Sequence, residues 1–170
     1  MKKNAFSLLD VIPSTLATLF CLLQIILGIY LLPGISQIQL IAYLGVGLYV
    51  FSGLIFGMLP VFEFRRNGGV TKGKSYIYTT RLVDTGIYSI VRHPQFITFI
   101  LWAIAGMLLF QHWVVILLGI PVIPFTYIDL LRADNRLLEK FGDEYRQYME
   151  RVPKANFIFG VIKHLRLENR

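Results

Sequence analysis

The 170-residue chain is 55% hydrophobic and only 16% charged, against roughly 25% charged residues in an average soluble domain. Its 17 Lys and Arg outnumber 10 Asp and Glu, for a formal charge of +7; the basic residues flank apolar stretches, a pattern that marks membrane orientation rather than a nucleic-acid partner. The length suits one domain, residues 1–170, and a single cysteine, Cys21, rules out a disulfide framework or a cysteine-based zinc site.

The N-terminus, Met1-Lys2-Lys3, begins like a secretory n-region, but no small-residue cleavage pattern follows, so the first apolar stretch is expected to stay as a helix. Four stretches reach the length of about 17–25 residues that a bilayer requires: residues 14–32, 37–62, 94–110 and 112–131. The first ends at the turn Pro33-Gly34. The second carries Gly45, Gly47, Gly53 and Gly57, small residues that let helix backbones approach closely in lipid. Pro121 and Pro124 predict a kink in the fourth, because proline removes a backbone donor and crowds the preceding turn.

Two longer polar segments remain. The middle loop, residues 64–93, holds Gly68, Gly69 and Gly73 and a β-branched and aromatic run over 75–80. The tail, residues 132–170, opens with an expected amphipathic helix over 132–151. There Leu137, Leu138, Phe141, Tyr145, Tyr148 and Val152 recur at helical spacing, with Gly142 as a weak point. Residues 156–162 are apolar but too short to span, and suit the membrane interface.

Charge placement tests this parse. All 17 basic residues fall in the N-terminal segment, in the loop over 63–93, or from Arg132 onward. The other two connections, over 33–36 and around Gln111, carry none. By the positive-inside rule both termini and the middle loop are expected in the cytoplasm. The sequence therefore predicts an all-α, multi-pass integral membrane protein with about four transmembrane helices. A cytoplasmic loop and a C-terminal amphipathic helix complete it.

Chemistry-bearing residues concentrate at two places. Arg92 and His93 precede Pro94, and proline suits a first helical position because its missing N–H is not needed there. The start of that helix offers free amides and a positive dipole end, which favour a carboxylate or phosphate; anchoring to lipid headgroups is the plainer role for the same two residues. The second place is the end of the fourth stretch. Asp129 has Arg132 three residues on as a partner. Asp134 either caps the amphipathic helix, stands in solvent, or faces a cleft at the membrane surface. His112 beside Trp113 suits the interface and His164 the solvent, and the three histidines lack metal-ligand spacing, so no metal is expected. No phosphate-binding glycine loop and no local hydrolase signature is present, and the spans hold too few ionisable groups for a transport pathway.

Taken together, these segments resemble the integral membrane methyltransferases that include isoprenylcysteine carboxyl methyltransferase and phosphatidylethanolamine N-methyltransferase. That family shows G-x-Y, then R-H-P-x-Y-x-G, a hydrophobic stretch, a Glu-Glu pair, and a helix with L-x-x-x-F-G-x-x-Y-x-x-Y. Here Gly86-Ile87-Tyr88 precedes Arg92-His93-Pro94-Gln95-Phe96, and Ala133-Asp134 is followed by Leu137, Phe141-Gly142, Tyr145 and Tyr148. The run Tyr148-Met149-Glu150-Arg151-Val152-Pro153 is similar to a Y-x-x-R-V-P segment of the isoprenylcysteine branch. Three positions depart from the pattern: Phe96 for Tyr, Thr98 for Gly, and Ala133-Asp134 for the acidic pair.

The resemblance implies methyl transfer from S-adenosylmethionine to a hydrophobic, lipid-like acceptor at the cytoplasmic membrane face, most like isoprenylcysteine carboxyl methylation. Phospholipid amine N-methylation is the alternative chemistry. A non-catalytic scaffold that kept the fold is the alternative class, favoured by Ala133 and Phe96. The implied catalytic residues are Asp134, Arg92 and Arg151. For the cofactor, Asp134 would accept from the ammonium, while Arg92, His93 and the helix start at Pro94 would meet the carboxylate. Leu82, Val83, Ile87 and Tyr88 would line the adenine, and Gly86 and Phe96 would also belong to the cofactor site. The implied partner is a membrane lipid or a lipidated substrate.

Overall fold

A computed structural model describes residues 8–32, 37–70 and 79–168. Met1-Lys2-Lys3, the Pro33-Gly34 turn and most of the run over 75–80 lie outside the described residues. Among those described, every regular element is helical. The helices are α1 (Leu8–Leu31), α2 (Gln39–Ser52), α3 (Leu59–Asn67), α4 (Pro94–Phe110), α5 (Trp113–Phe141), α6 (Asp143–Arg151) and α7 (Phe157–Glu168). A π-helical turn, Gly53–Met58, joins α2 to α3, and a 3₁₀ turn, Gly86–Ser89, precedes α4.

Among the described residues, three stretches are long and apolar enough to cross a membrane: Ile12–Leu31, Gln39–Asn67 and Trp113–Phe141. α4 has the bounds the sequence predicts, but its 17 residues rise only about 26 Å against a hydrocarbon core of about 30 Å. Its partner stretches differ from expectation at their ends. α1 begins before Pro13 and contains it. The second stretch runs on to Asn67 through the π turn; Pro60 cannot donate to the carbonyl four residues back, and the widened turn just before it accommodates that loss. α5 contains Pro121 and Pro124 and continues to Phe141. The tail helix expected over 132–151 is therefore two pieces. Residues up to 141 extend α5, and Gly142, at φ +59, ends it and starts α6.

The chain divides into two compact units, one of residues up to 51 with 99–133, the other of 52–98 with 134–170. In the first, Ala17, Cys21, Ala103 and Val122 form a core with Phe20, Phe99, Trp102 and Phe125 against it. Gln24 is buried in this unit, and its amide donates to the carbonyls of Ala103 (2.9 Å) and Val115 (3.2 Å). It thereby ties α1 to α4 and α5. Gly45 lies so close to α4 that a Cβ would come 2.6 Å from the Leu109 amide nitrogen, whereas Gly47 faces open space. Of the predicted small-residue contacts, Gly45 thus makes one.

The second unit is built on Tyr145, Tyr148 and Val152, with Leu82, Leu137, Leu138, Phe141 and Met149 packed on them. This is the apolar face the tail sequence predicts, carried by two helices instead of one. α7 rests on the unit through the Phe157 ring, edge-on to Phe56 at 4.9 Å, and through Gly160, whose backbone lies against the Ile90 carbonyl.

Candidate active site

The segment leading into α4 is set by local chemistry. Gly86 has φ +57, a left-handed conformation that suits glycine, and a Cβ there would come 2.9 Å from the Glu63 carboxylate. The 3₁₀ turn that follows buries Ile87 and Tyr88. Tyr148 on α6 donates its hydroxyl to the Tyr88 carbonyl at 2.6 Å, fixing this turn against the tail. Beyond it, the Arg92 and His93 amides donate to the carbonyls of Pro153 (3.0 Å) and Lys154 (3.1 Å). The linker between α6 and α7 is therefore strapped to the start of α4.

These constraints bring four polar side chains together around Asp134, which lies within α5 and is only 4% exposed. Its Oδ1 accepts from Arg92 Nη1 at 3.2 Å, His93 Nε2 at 2.7 Å and the Tyr145 hydroxyl at 2.6 Å. Lys154 Nζ forms an ion pair with Oδ2 at 3.0 Å. Arg92 and His93 are buried, and the Arg92 Nε has no hydrogen-bond partner. The Tyr145 hydroxyl also stands 3.3 Å from His93 Nε2, and the Phe96 ring meets the imidazole edge-on at 5.6 Å.

Burial pulls the His93 pKa below its ordinary value, against the opposing bond to Asp134. A neutral imidazole here carries its proton on Nε2, because that nitrogen faces the carboxylate. Burial, reinforced by the bond to Asp134, pushes the Tyr145 phenol well above the usual range, so it remains a donor. Tyr148 is raised by burial too. The cluster thus contains two cations, one carboxylate and two neutral donors.

Of the residues singled out from sequence, Arg92, His93 and Asp134 meet directly. Pro94 is fully buried at the first position of α4. Val83, Ile87 and Tyr88 are buried, and Leu82 packs on the tyrosine core. Arg151 stands apart from the cluster, paired with Asp84 at 3.3 Å, both side chains well exposed. Asp134 lies inside a helix, so it is not a cap. Sequence reasoning missed Lys154, and it placed Tyr145 on the apolar face and in the family-like pattern but not among the site residues. It also missed the contacts at Glu63, whose Oε1 accepts from Asn67 Nδ2 at 2.7 Å and from the Thr85 hydroxyl. A Lys directly after Arg151-Val152-Pro153 carries no signal until the strap places it.

Comparison with known proteins bears on the same segment. Residues 74–140 match the isoprenylcysteine carboxyl methyltransferase (ICMT) family. A protein-S-isoprenylcysteine O-methyltransferase of Schizosaccharomyces pombe is 33% identical over 75 residues, 44% of this chain and 32% of that protein. One of Saccharomyces cerevisiae is 36% identical over 72 residues, 42% of this chain and 30% of that protein. Protein-S-isoprenylcysteine O-methyltransferase B of Arabidopsis thaliana is 24% identical over 149 residues, 82% of this chain and 71% of that protein. The matches thus span about a third of the length of the yeast relatives and more of the plant one. No solved structure matches the chain significantly. Arg92, His93 and Asp134 all lie inside residues 74–140, the segment that is similar to the isoprenylcysteine carboxyl methyltransferase family.

Proposed function

We propose that this multi-pass membrane protein transfers a methyl group from S-adenosylmethionine to the carboxylate of an isoprenylated cysteine. The reaction takes place at the cytoplasmic membrane face. The observation that carries the reading is the buried Arg92–His93–Asp134–Tyr145 cluster in and beside the family segment. The side of the membrane follows from the basic loop and tail.

The donor set fits the amino-acid end of the cofactor. Arg92 Nε is a buried donor without an acceptor, and Asp134 Oδ2 meets only the ammonium of Lys154, at 3.0 Å. A zwitterionic α-amino acid offers one carboxylate and one ammonium, the complement of that pair. Arg92 and His93 would hold the carboxylate beside the start of α4 at Pro94, with Asp134 toward the ammonium. Leu82, Val83, Gly86, Ile87, Tyr88 and Phe96 would border the rest. Arg151 would act at the rim through its pair with Asp84. When bound, S-adenosylmethionine supplies an electrophilic methyl group on a sulfonium centre.

The residues of the chain then need to do little acid–base work. A carboxylate acceptor is already ionised, so no general base is required. Alignment and exclusion of water are the available sources of rate, and a cluster locked by four contacts to one carboxylate provides the rigidity. His93 and Tyr145 keep their protons and hold Asp134 in place, so the geometry does not depend on a charge change near neutral pH.

The test uses detergent-purified chain, methyl-labelled S-adenosylmethionine and N-acetyl-S-farnesylcysteine. Saturable cofactor binding and formation of a base-labile methyl ester are expected. Arg92→Ala should weaken cofactor binding by about tenfold or more, the scale of a lost charge-assisted hydrogen bond. A folded, monodisperse sample that neither binds the cofactor nor forms the ester would refute the reading.

A further inference from the structure

The five-residue cluster is not balanced in charge or in access. Asp134 supplies one negative charge, whereas Arg92 and Lys154 supply two positive ones, and the nearby Asp84–Arg151 pair compensates itself. The Arg92, His93 and Asp134 side chains are 7%, 5% and 5% exposed, but Lys154 is 33% exposed. Its backbone is fixed by the strap to His93, so the ammonium stands at the edge of the buried cluster. Of the three donors on Nζ, one direction is used by the ion pair to Asp134. A surplus cation that is anchored, partly exposed and next to buried polar groups is a site for an anion.

We infer that Lys154 is a specificity-determining contact that recognises the carboxylate of the lipid acceptor and rejects acceptors lacking it. The choice of acceptor rests on the methyltransferase reading, whereas the charge and exposure do not. Lys154 lies beyond residues 74–140, the segment that matches the family. The same carboxylate chemistry has a second source, the cofactor, and the two are separable. Arg92 is buried and suits a group enclosed with the cluster, whereas Lys154 faces outward and suits a group arriving from elsewhere.

The experiment measures affinities of the full chain in detergent for N-acetyl-S-farnesylcysteine, for its methyl ester, and for S-adenosylmethionine. The wild type should bind the acid more tightly than the ester. Lys154→Met should reduce that preference by about tenfold, leaving ester affinity unchanged, and Lys154→Arg should retain it. Lys154→Gln serves as a second neutral variant should the Met form fold poorly. A wild type with no acid preference overturns the inference whatever the variants do. So does a preference that survives in the neutral variants, or a loss confined to cofactor affinity. An acid preference that depends on Lys154 in a protein without methyl transfer would sustain the contact and sink the enzymatic reading.

Discussion

Asp134 shows how a single side chain sets the requirements of a site. A carboxylate with this little exposure is costly unless it is paired and hydrogen-bonded, and here Arg92, His93, Tyr145 and Lys154 all answer it. Removing it would leave two cations facing each other, so it organises the site as well as being a candidate ligand. His93 gives this cluster a pH signature. Burial lowers the native pKa, so the unfolded chain takes up the proton more readily than the folded one. The associated stability is complete above the unfolded value of about 6.5. It is lost as pH falls from there through the lowered native value. Thermal unfolding between pH 7.5 and 5.5 should therefore show a falling midpoint on the acid side, and His93→Gln should flatten that part of the profile. An identical profile in the variant would mean His93 does not titrate in this range. Arg92, His93 and Asp134 were legible as candidates because they flank recognisable helix ends. Lys154 was not, since only the amide bonds from Arg92 and His93 to the tail carry it back to the cluster.

Helix boundaries divided along similar lines. The long apolar stretches fall on α1, α2 with α3, α4 and α5, and the apolar face from Leu137 to Val152 is the core of the second unit. Periodicity alone does not mark where α5 yields to α6. That break depends on Gly142 at positive φ, which redirects the chain so that Tyr145 reaches Asp134. Gly160 marks a comparable dependence in α7. Alanine is better than glycine in a helix by about 1 kcal/mol, yet a Cβ at 160 would run into the Ile90 carbonyl, a backbone atom that no rotamer change can move. Gly160→Ala should lower stability, with a strain of about 1–3 kcal/mol outweighing the propensity gain. Protease sensitivity and the unfolding midpoint of the purified chain would register it. A variant more stable than wild type would show that α7 shifts freely on its seat.

For the whole molecule, topology is the property with the widest consequences. Among the described residues, three stretches satisfy the length and hydropathy of a span, and α4 is shorter. The positive-inside reading puts the α4–α5 junction at Gln111 opposite the basic loops. Gln111→Cys in a Cys21→Ser background should therefore react with a membrane-impermeant maleimide added outside intact cells. A cysteine at Asp143 should react only after permeabilisation. Labelling in the reverse order would place the cluster on the other face and remove cytoplasmic cofactor from consideration.

The amino-acid sequence by itself determined the membrane class, the helical character and the approximate spans. These follow from local quantities: apolar content, period, and the cost of burying charge in lipid. It also held the segment that is similar to the methyltransferase family, because short spacings around Arg92-His93-Pro94 and Asp134 are local patterns. Only the tertiary structure decided which groups share a site. Arg92 and Asp134 are 42 residues apart, and Tyr145 and His93 are 52 apart. Such contacts arise from the packing of α5, α6 and the strap, which no local window encodes. The same packing separated Arg151 from the cluster and placed Lys154 in it, because neighbouring residues on a bent backbone face different surroundings.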